Sequence, residues 1–157
     1  MRHTRAQVIK RATLEFQRLD RLVRKLTPAQ WKLPLGRPEG KDAWTVKDSL
    51  AHITHWKADQ IRRFRGQRPP ADERGLDTKA GNHLIYLRWR KRSAKEVLAW
   101  HRKVQRDLLA ALREAPAELF RRERGTAWPF DLDGHSAAHR TRDIERALGK
   151  DKTSVRR

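Results

Sequence analysis

The chain has 157 residues and no cysteine. That absence excludes a disulfide, a thiolate nucleophile and any zinc site built on sulfur. A bound metal would have to be held by histidine and carboxylate. Apolar residues are few, at 37%, and the longest apolar run is Leu108 to Leu112. A membrane span needs roughly 20 apolar residues, so none is expected. No apolar stretch follows the N-terminus, so a secretory signal is not expected either, and the expected location is the cytoplasm. The chain also lacks a Gly-rich phosphate loop, a Gly-x-Ser-x-Gly elbow and a His-Glu-x-x-His helix. Acidic residues are scarce: 19 Asp and Glu stand against 38 Lys and Arg, a net charge of +19.

What is present is enough for a folded domain. Six Trp and four Phe are too many for a disordered tail. The length suits one domain, expected over 1–149, with a polar, frayed tail over 150–157. The charge has two readings. A basic protein can neutralise phosphates and gather nucleic acid. Alternatively, 26 Arg against 12 Lys, spread over every segment, is what a GC-rich bacterial genome would give. A nucleic-acid surface would have to lie where Arg is interleaved with aromatics. Those places are Arg62-Arg63-Phe64-Arg65, Arg88-Trp89-Arg90-Lys91-Arg92 and Arg121-Arg122-Glu123-Arg124. The plainer reading of each is a solvated helix face with its aromatic turned inward.

Periodicity predicts helices throughout. Thr4 and Gln7 form a capping-box pattern, followed by an apolar stripe of Val8, Ala12, Phe16, Leu19, Val23 and Leu26. Thr27-Pro28 starts a short turn. Thr45 to Asp48 caps a second long helix, with Val46, Leu50, Ile53, Ile61 and Phe64, that ends near Gly66. Residues 67–81 read as a loop and Asn82 to Arg92 as helix, with Ile85 and Trp89 on one side. Ser93 and Glu96 cap a third long helix through Val97, Val104, Leu108 and Leu112, ended by Pro116. Ala117 to Phe120 is one further turn. A loop with Trp128-Pro129-Phe130 then leads to Asp133, which caps a last helix closed by Gly149. No segment alternates with period two. The expected class is all-α: a four-helix bundle with long connections.

The chemistry rests with seven histidines: His3, His52, His55, His83, His101, His135 and His139. His135 and His139 are spaced i, i+4, which puts two imidazoles on one helix face where both can reach one metal. On the second long helix His52 lies nearer the bundle side, while His55 falls nearly opposite the stripe and reads as a solvated imidazole. His101 sits at the centre of its stripe. It reads as a core histidine hydrogen-bonded to a carbonyl or carboxylate, or as a group supporting a metal site. Asp48 precedes His52 by four and Asp143 follows His139 by four, so either could orient an imidazole or complete a coordination sphere. The plainer roles are a helix cap for Asp48 and a surface pair with Arg140 or Arg146 for Asp143.

At these residues a family resemblance emerges. Leu26-Thr-Pro-Ala-Gln-Trp31, then Trp44-Thr-Val-Lys-Asp-Ser-Leu-Ala-His52-Ile, resembles the opening of DinB-like proteins, the damage-inducible bundles of the DinB/YfiT superfamily. There a W-[ST]-x-[KR]-[DE]-x-[LI]-x-H segment begins helix two and its His is a metal ligand, with H-x-x-x-H on the last helix. The resemblance implies a metal site of His52, His135 and His139, holding zinc or nickel. The Asn82 to Ser93 segment, Glu96-Val-Leu-Ala and Trp128-Pro129 look like the ClbS/DfsB-like branch, whose last helix reads N-T-x-x-H-Y-x-E-H. Aligned so, His135 replaces Asn, His139 is kept and Asp143 replaces the last His.

The superfamily implies either of two functions. One is a metal-dependent hydrolase or thiol-dependent transferase or isomerase, as in the mycothiol-dependent maleylpyruvate isomerases; without cysteine in this chain the thiol would come from outside. The other is a non-catalytic module, as in the ClbS-like branch linked to self-protection against a DNA-damaging genotoxin. The partners these readings admit are a small-molecule or thiol ligand, nucleic acid, and a second copy of the chain in a homodimer, with no membrane among them.

Overall fold

A computed structural model describes residues 3–36, 42–121 and 133–149. Its elements are α1 (Arg5–Val23), α2 (Pro28–Trp31), α3 (Val46–Phe64), α4 (Thr78–Trp89), α5 (Ala94–Glu114), α6 (Ala117–Arg121) and α7 (Gly134–His139). A π-helical segment, Arg140–Glu145, continues α7, and helical backbone runs on to residue 149. The described residues contain no strand, only one antiparallel bridge between Pro34 and Thr45. The all-α bundle expected from periodicity is therefore what forms. Its central member is α3, packed against α5, α4 and the α7 region. None of the described helices is long and apolar enough to cross a membrane.

Local chemistry explains most boundaries. Capping boxes close the starts of α1 (Thr4 with Gln7), α2 (Thr27 with Gln30), α3 (Thr45 with Asp48) and α5 (Ser93 with Glu96). Gly66, at φ 65°, ends α3. Its amide bonds to Arg63 O and the Gln67 amide to Arg62 O, a pairing that needs a left-handed residue between them.

Three expectations need correcting. First, α4 begins at Thr78 rather than Asn82, because the Asp77 side chain accepts from the Ala80 amide at 2.8 Å; Gly81 lies inside the helix. Second, residues 67–81 are not all loop, since Ala71–Glu73 forms a 3-10 turn. Third, Asp133 does not cap α7 with its side chain. Its backbone is already helical (φ −101°, ψ −40°), which turns the carboxylate away from the amides, and Arg11 Nε donates to it at 3.2 Å. Trp128-Pro129-Phe130, Arg122, Arg124 and the 150–157 tail lie outside the described residues.

The core is two apolar bodies. One gathers Leu19, Val23, Trp44, Leu50, Ile53, Val97 and Ile144. The other gathers Val8, Ala12, Ile61, Val104, Leu108 and Leu112. At intermediate positions along α1, α3 and α5 stand four buried polar residues: Glu15, Lys57, His101 and Gln105. Lys57 Nζ donates to Gln105 Oε1 at 3.2 Å and lies 5.8 Å from the centre of the Phe16 ring. Gln105 Nε2 donates to Ala12 O at 3.5 Å. His101 stacks on Phe16 at 4.8 Å. The carbonyl or carboxylate expected for His101 is not there: among the described residues neither ring nitrogen has a hydrogen-bond partner. The ring is held by packing, as a neutral imidazole.

Burial pushes the His101 imidazole down to about 3, with the positive charges of Lys57 and Arg102 adding to the effect. The unfolded chain would bind that proton near pH 6.5. Stability from His101 is thus complete above pH 6.5 and lost as pH falls toward 3, at about 1.4 kcal/mol per pH unit. Denaturant titrations from pH 6.5 to 4 should show a shallower fall for His101→Phe than for the wild type; parallel curves would contradict the assignment.

Lys57 is shifted in the same direction, but in a higher pH window. Burial lowers its ammonium to about 8 from 10.5, partly offset by the Glu15 carboxylate. The cost of burying the charge is complete below pH 8 and relieved between pH 8 and 10.5. Lys57→Met should therefore stabilise the protein at pH 7 by about 2 kcal/mol after loss of the Gln105 bond, with the gain shrinking above pH 8. Urea midpoints at pH 7 and 9.5 measure this.

Candidate metal centre

Three histidines from two segments converge. His52, on α3, is buried at 3% exposure; His135 and His139, one helical turn apart on α7, are half-buried. One ligand nitrogen from each lies within 4.8 Å of the others. His52 Nε2 and His135 Nε2 are 3.2 Å apart. Ring centroids are separated by 5.1 Å (52 to 135), 4.6 Å (52 to 139) and 4.5 Å (135 to 139). The rings are tilted by 40°, 72° and 70° respectively, so none stacks face to face on another.

The sequence builds this locally. The capping box at Thr45 starts α3 so that position 52 comes two turns later on the buried side. Trp44 is fixed just before it by the Pro34–Thr45 bridge, with Leu35 N bonded to Trp44 O at 2.9 Å. The buried Trp44 ring lies 5.1 Å from that of His52 and covers it. Trp56, one turn onward, meets His52 edge-on at 6.3 Å.

The carboxylates divide between the roles foreseen for them. Asp143 Oδ2 takes His139 Nδ1 at 2.6 Å, and Ser49 Oγ donates to the same oxygen at 3.4 Å. Asp143 is buried rather than on the surface. Asp48 is the helix cap: its Oδ2 accepts from Thr45 N at 2.9 Å and Thr45 Oγ at 2.8 Å. His101 lies outside the cluster, in the polar layer on α5. His55 is not solvated. Its side chain is 13% exposed and its Nε2 is 3.8 Å from Glu73. Burial lowers its pKa, with Glu73 opposing and Arg88 and Arg62 adding.

Two features escaped sequence reasoning. Buried Glu15 receives Arg140 Nε at 2.8 Å and Nη2 at 3.1 Å, which ties α1 to the residue after His139. Ser136, between the paired histidines, is buried with its Oγ unpartnered among the described residues. The Glu15 position carried one signal, an acidic residue within a stripe of apolar ones.

The donor set suits a divalent ion. Two imidazole nitrogens sharing one tetrahedral ion at roughly 2.0–2.1 Å each would be about 3.3 Å apart, close to the spacing here. A carboxylate on the far nitrogen of a metal-binding histidine is the usual support for such a ligand.

The basic clusters are largely spoken for. Arg62 and Arg63 both pair with Asp59, and Arg62 also reaches Glu73. Arg88 pairs with Asp72 and Glu73, and Arg92 with Glu96. Arg65, Arg90 and Lys91 have no ion pair among the described residues.

Comparison with known proteins gives the family and supports the fold. The family model of the DinB superfamily matches residues 11–140. A crystal structure of an uncharacterised protein from Escherichia coli UTI89 superposes with a TM-score of 0.73 at 13% identity, covering 96% of this chain and 94% of the other. The colibactin self-resistance protein ClbS, solved in complex with a dsDNA, superposes with a TM-score of 0.69 at 15% identity, covering 95% and 96%. No curated protein matches the chain by sequence.

Glu15→Ala tests the tie to α1. It leaves the Arg140 guanidinium beside the cluster with Glu145 alone, at 2.5 Å from Nη1, and should cost about 2–3 kcal/mol in urea unfolding. A change below about 0.5 kcal/mol, the range of ordinary surface substitutions, would contradict it.

Proposed function

Because the chain belongs to the DinB superfamily, we propose that His52, His135 and His139 hold one divalent ion, zinc or nickel, in a centre that acts on a small anionic molecule. The observation that carries this reading is the convergence of three ligand nitrogens within 4.8 Å. When bound, such an ion supplies Lewis acidity and draws the pKa of a coordinated water toward neutrality.

The chain's own residues do the rest. Asp143 accepts the His139 Nδ1 proton, which fixes the tautomer and leaves Nε2 as the ligand atom. Ser49 steadies that carboxylate. Trp44 shields His52 from water on one side. Three neutral imidazoles carry no charge to offset a divalent ion, so a loaded centre would favour an anionic partner, such as a substrate carboxylate or a thiolate brought from outside. Hydrolysis and thiol-dependent transfer or isomerisation both fit that preference.

Titration of untagged protein with zinc and nickel by calorimetry should give about one equivalent per chain. His139→Ala should bind less than about 0.2 equivalents, and Asp143→Asn should bind about 10–100-fold more weakly. Wild-type stoichiometry below about 0.2, or an unaltered His139→Ala isotherm, would remove the metal reading.

A second reading is a protective or nucleic-acid-binding module without catalysis. It is favoured by the net charge of +19 and by the likeness to ClbS, a protein solved with dsDNA. Arg65, Arg90 and Lys91 are the cations this reading would use. Duplex affinity that falls steeply between 50 and about 200 mM salt supports it, and no binding at about 50 mM rejects it.

A further inference from the structure

A cavity of about 700 Å³ opens between α2, the start of α3, the end of α4 and the start of α5. None of the three clustered histidines lines it. Trp44 stands between the two places, its ring 5.1 Å from that of His52 and parallel to that of Tyr86 at 6.4 Å. The volume lies within the range usual for small-ligand sites.

Its lining is strongly one-sided in charge. Lys32, Lys47, Arg90, Arg92 and Lys95 face it, against the single carboxylate of Asp48. Its Oδ2 is committed to the α3 cap and its Oδ1 is 3.4 Å from Lys47 Nζ. Two of the cations are also engaged. Lys47 Nζ donates to Trp89 O at 2.6 Å and Arg90 O at 3.2 Å, and Arg92 pairs with Glu96. Lys32, Arg90 and Lys95 have no ion pair or side-chain hydrogen bond among the described residues. All three are exposed and line the cavity.

The backbone adds to this field. The cavity reaches Ser93, Ala94 and Lys95, the first turn of the 21-residue α5. The capping box takes the Ser93 and Glu96 amides, by Glu96 Oε2 at 2.7 Å and Ser93 Oγ at 3.1 Å, which leaves the Ala94 and Lys95 amides without carbonyl partners in a turn whose dipole favours an anion. The remaining wall is apolar and aromatic: Trp31, Tyr86, Leu26 and Pro28. The Tyr86 hydroxyl has no hydrogen-bond partner among the described residues.

We propose that this cavity binds a phosphate monoester carried on a flat aromatic body, of the size of a mononucleotide. The cations and the α5 amides take the phosphate, and Trp31 and Tyr86 take the ring. Arginine and lysine at a helix start suit a phosphate dianion, and aromatic faces suit a base of any kind. Such a ligand has two sources, a free nucleotide or the phosphorylated end of a nucleic-acid strand. The site is independent of the histidine centre and of whether that centre holds metal.

Calorimetric titration with adenosine 5′-monophosphate should show saturable binding to the wild type, with adenosine and inorganic phosphate each at least about tenfold weaker, or about 1.4 kcal/mol. The triple variant Lys32→Ala, Arg90→Ala, Lys95→Ala removes three exposed charges and should weaken binding by at least about tenfold. A control triple, Lys10→Ala, Arg106→Ala, Arg113→Ala, removes equal charge from positions outside the cavity and should stay within about threefold. Unchanged circular dichroism verifies that both variants fold. A single-stranded oligonucleotide with a 5′-phosphate that competes better than the mononucleotide assigns the strand end; the reverse order assigns the free nucleotide. No saturable binding, equal binding of adenosine, or equal losses in the two triple variants would overturn the proposal.

Discussion

The carboxylate of Glu15 is the constraint around which this bundle is arranged. A buried anion on α1 is tolerable only if cations come to it. Arg140 arrives from the segment after α7, with two nitrogens on its two oxygens. Lys57 on α3 lies close enough for the same carboxylate to hold its proton more firmly. Lys57 in turn meets Gln105 on α5. Four helical segments are thus joined through one charged layer between two apolar bodies. Aliphatic surfaces alone allow neighbouring helices several similar packings, whereas a charge and its partners must be level with one another. The layer fixes the height of α7, and with it the height of His135 and His139 relative to His52.

This arrangement gives the histidine cluster an unusual setting. The carboxylate of Asp143 is bonded to His139 Nδ1, the nitrogen away from the one that would serve as ligand. An all-imidazole donor set would draw an ion by nitrogen coordination rather than by stored negative charge, which suits a borderline-soft metal better than calcium or magnesium. The surrounding excess of positive charge would act on the anion that a loaded centre could take.

The sequence was most readable where one residue type has one physical consequence. Capping boxes at Thr4, Thr45 and Ser93 each mark a helix start, because a hydroxyl followed three residues later by Gln, Asp or Glu satisfies amides that otherwise have no partner. The i, i+4 spacing of His135 and His139 could only place both rings on one face. His55 and His101 were harder for a shared reason. The helical wheel used for α3 assumed one buried stripe, but α3 is central and is covered by α4 on the side where His55 lies, so its outward face is indoors too. His101 was correctly expected to be buried, yet its missing partner could not be foreseen, since that depends on what neighbouring helices bring near it. Asp77 was overlooked because Gly81 suggested a break, and a single glycine within a helix, at about 1 kcal/mol, carries too small a penalty to stop it. The Arg140–Glu15 tie spans 125 positions, and nothing local announces a pairing over that distance.

The π-helical segment between His139 and Glu145 has one more implication. Such a turn accommodates one residue beyond what an α-helical turn would hold, and it is placed between the paired histidines and the core residues Ala147 and Leu148, with Ile144 inside it. Were that extra residue absent, the helix would be regular and everything beyond it would rotate by roughly 100° relative to the histidines. Either the rings or the aliphatic side chains would then face solvent. The bulge acts as a spacer between two phases of one helix, so insertions and deletions are least tolerable across these six residues, even where each individual side chain could be exchanged.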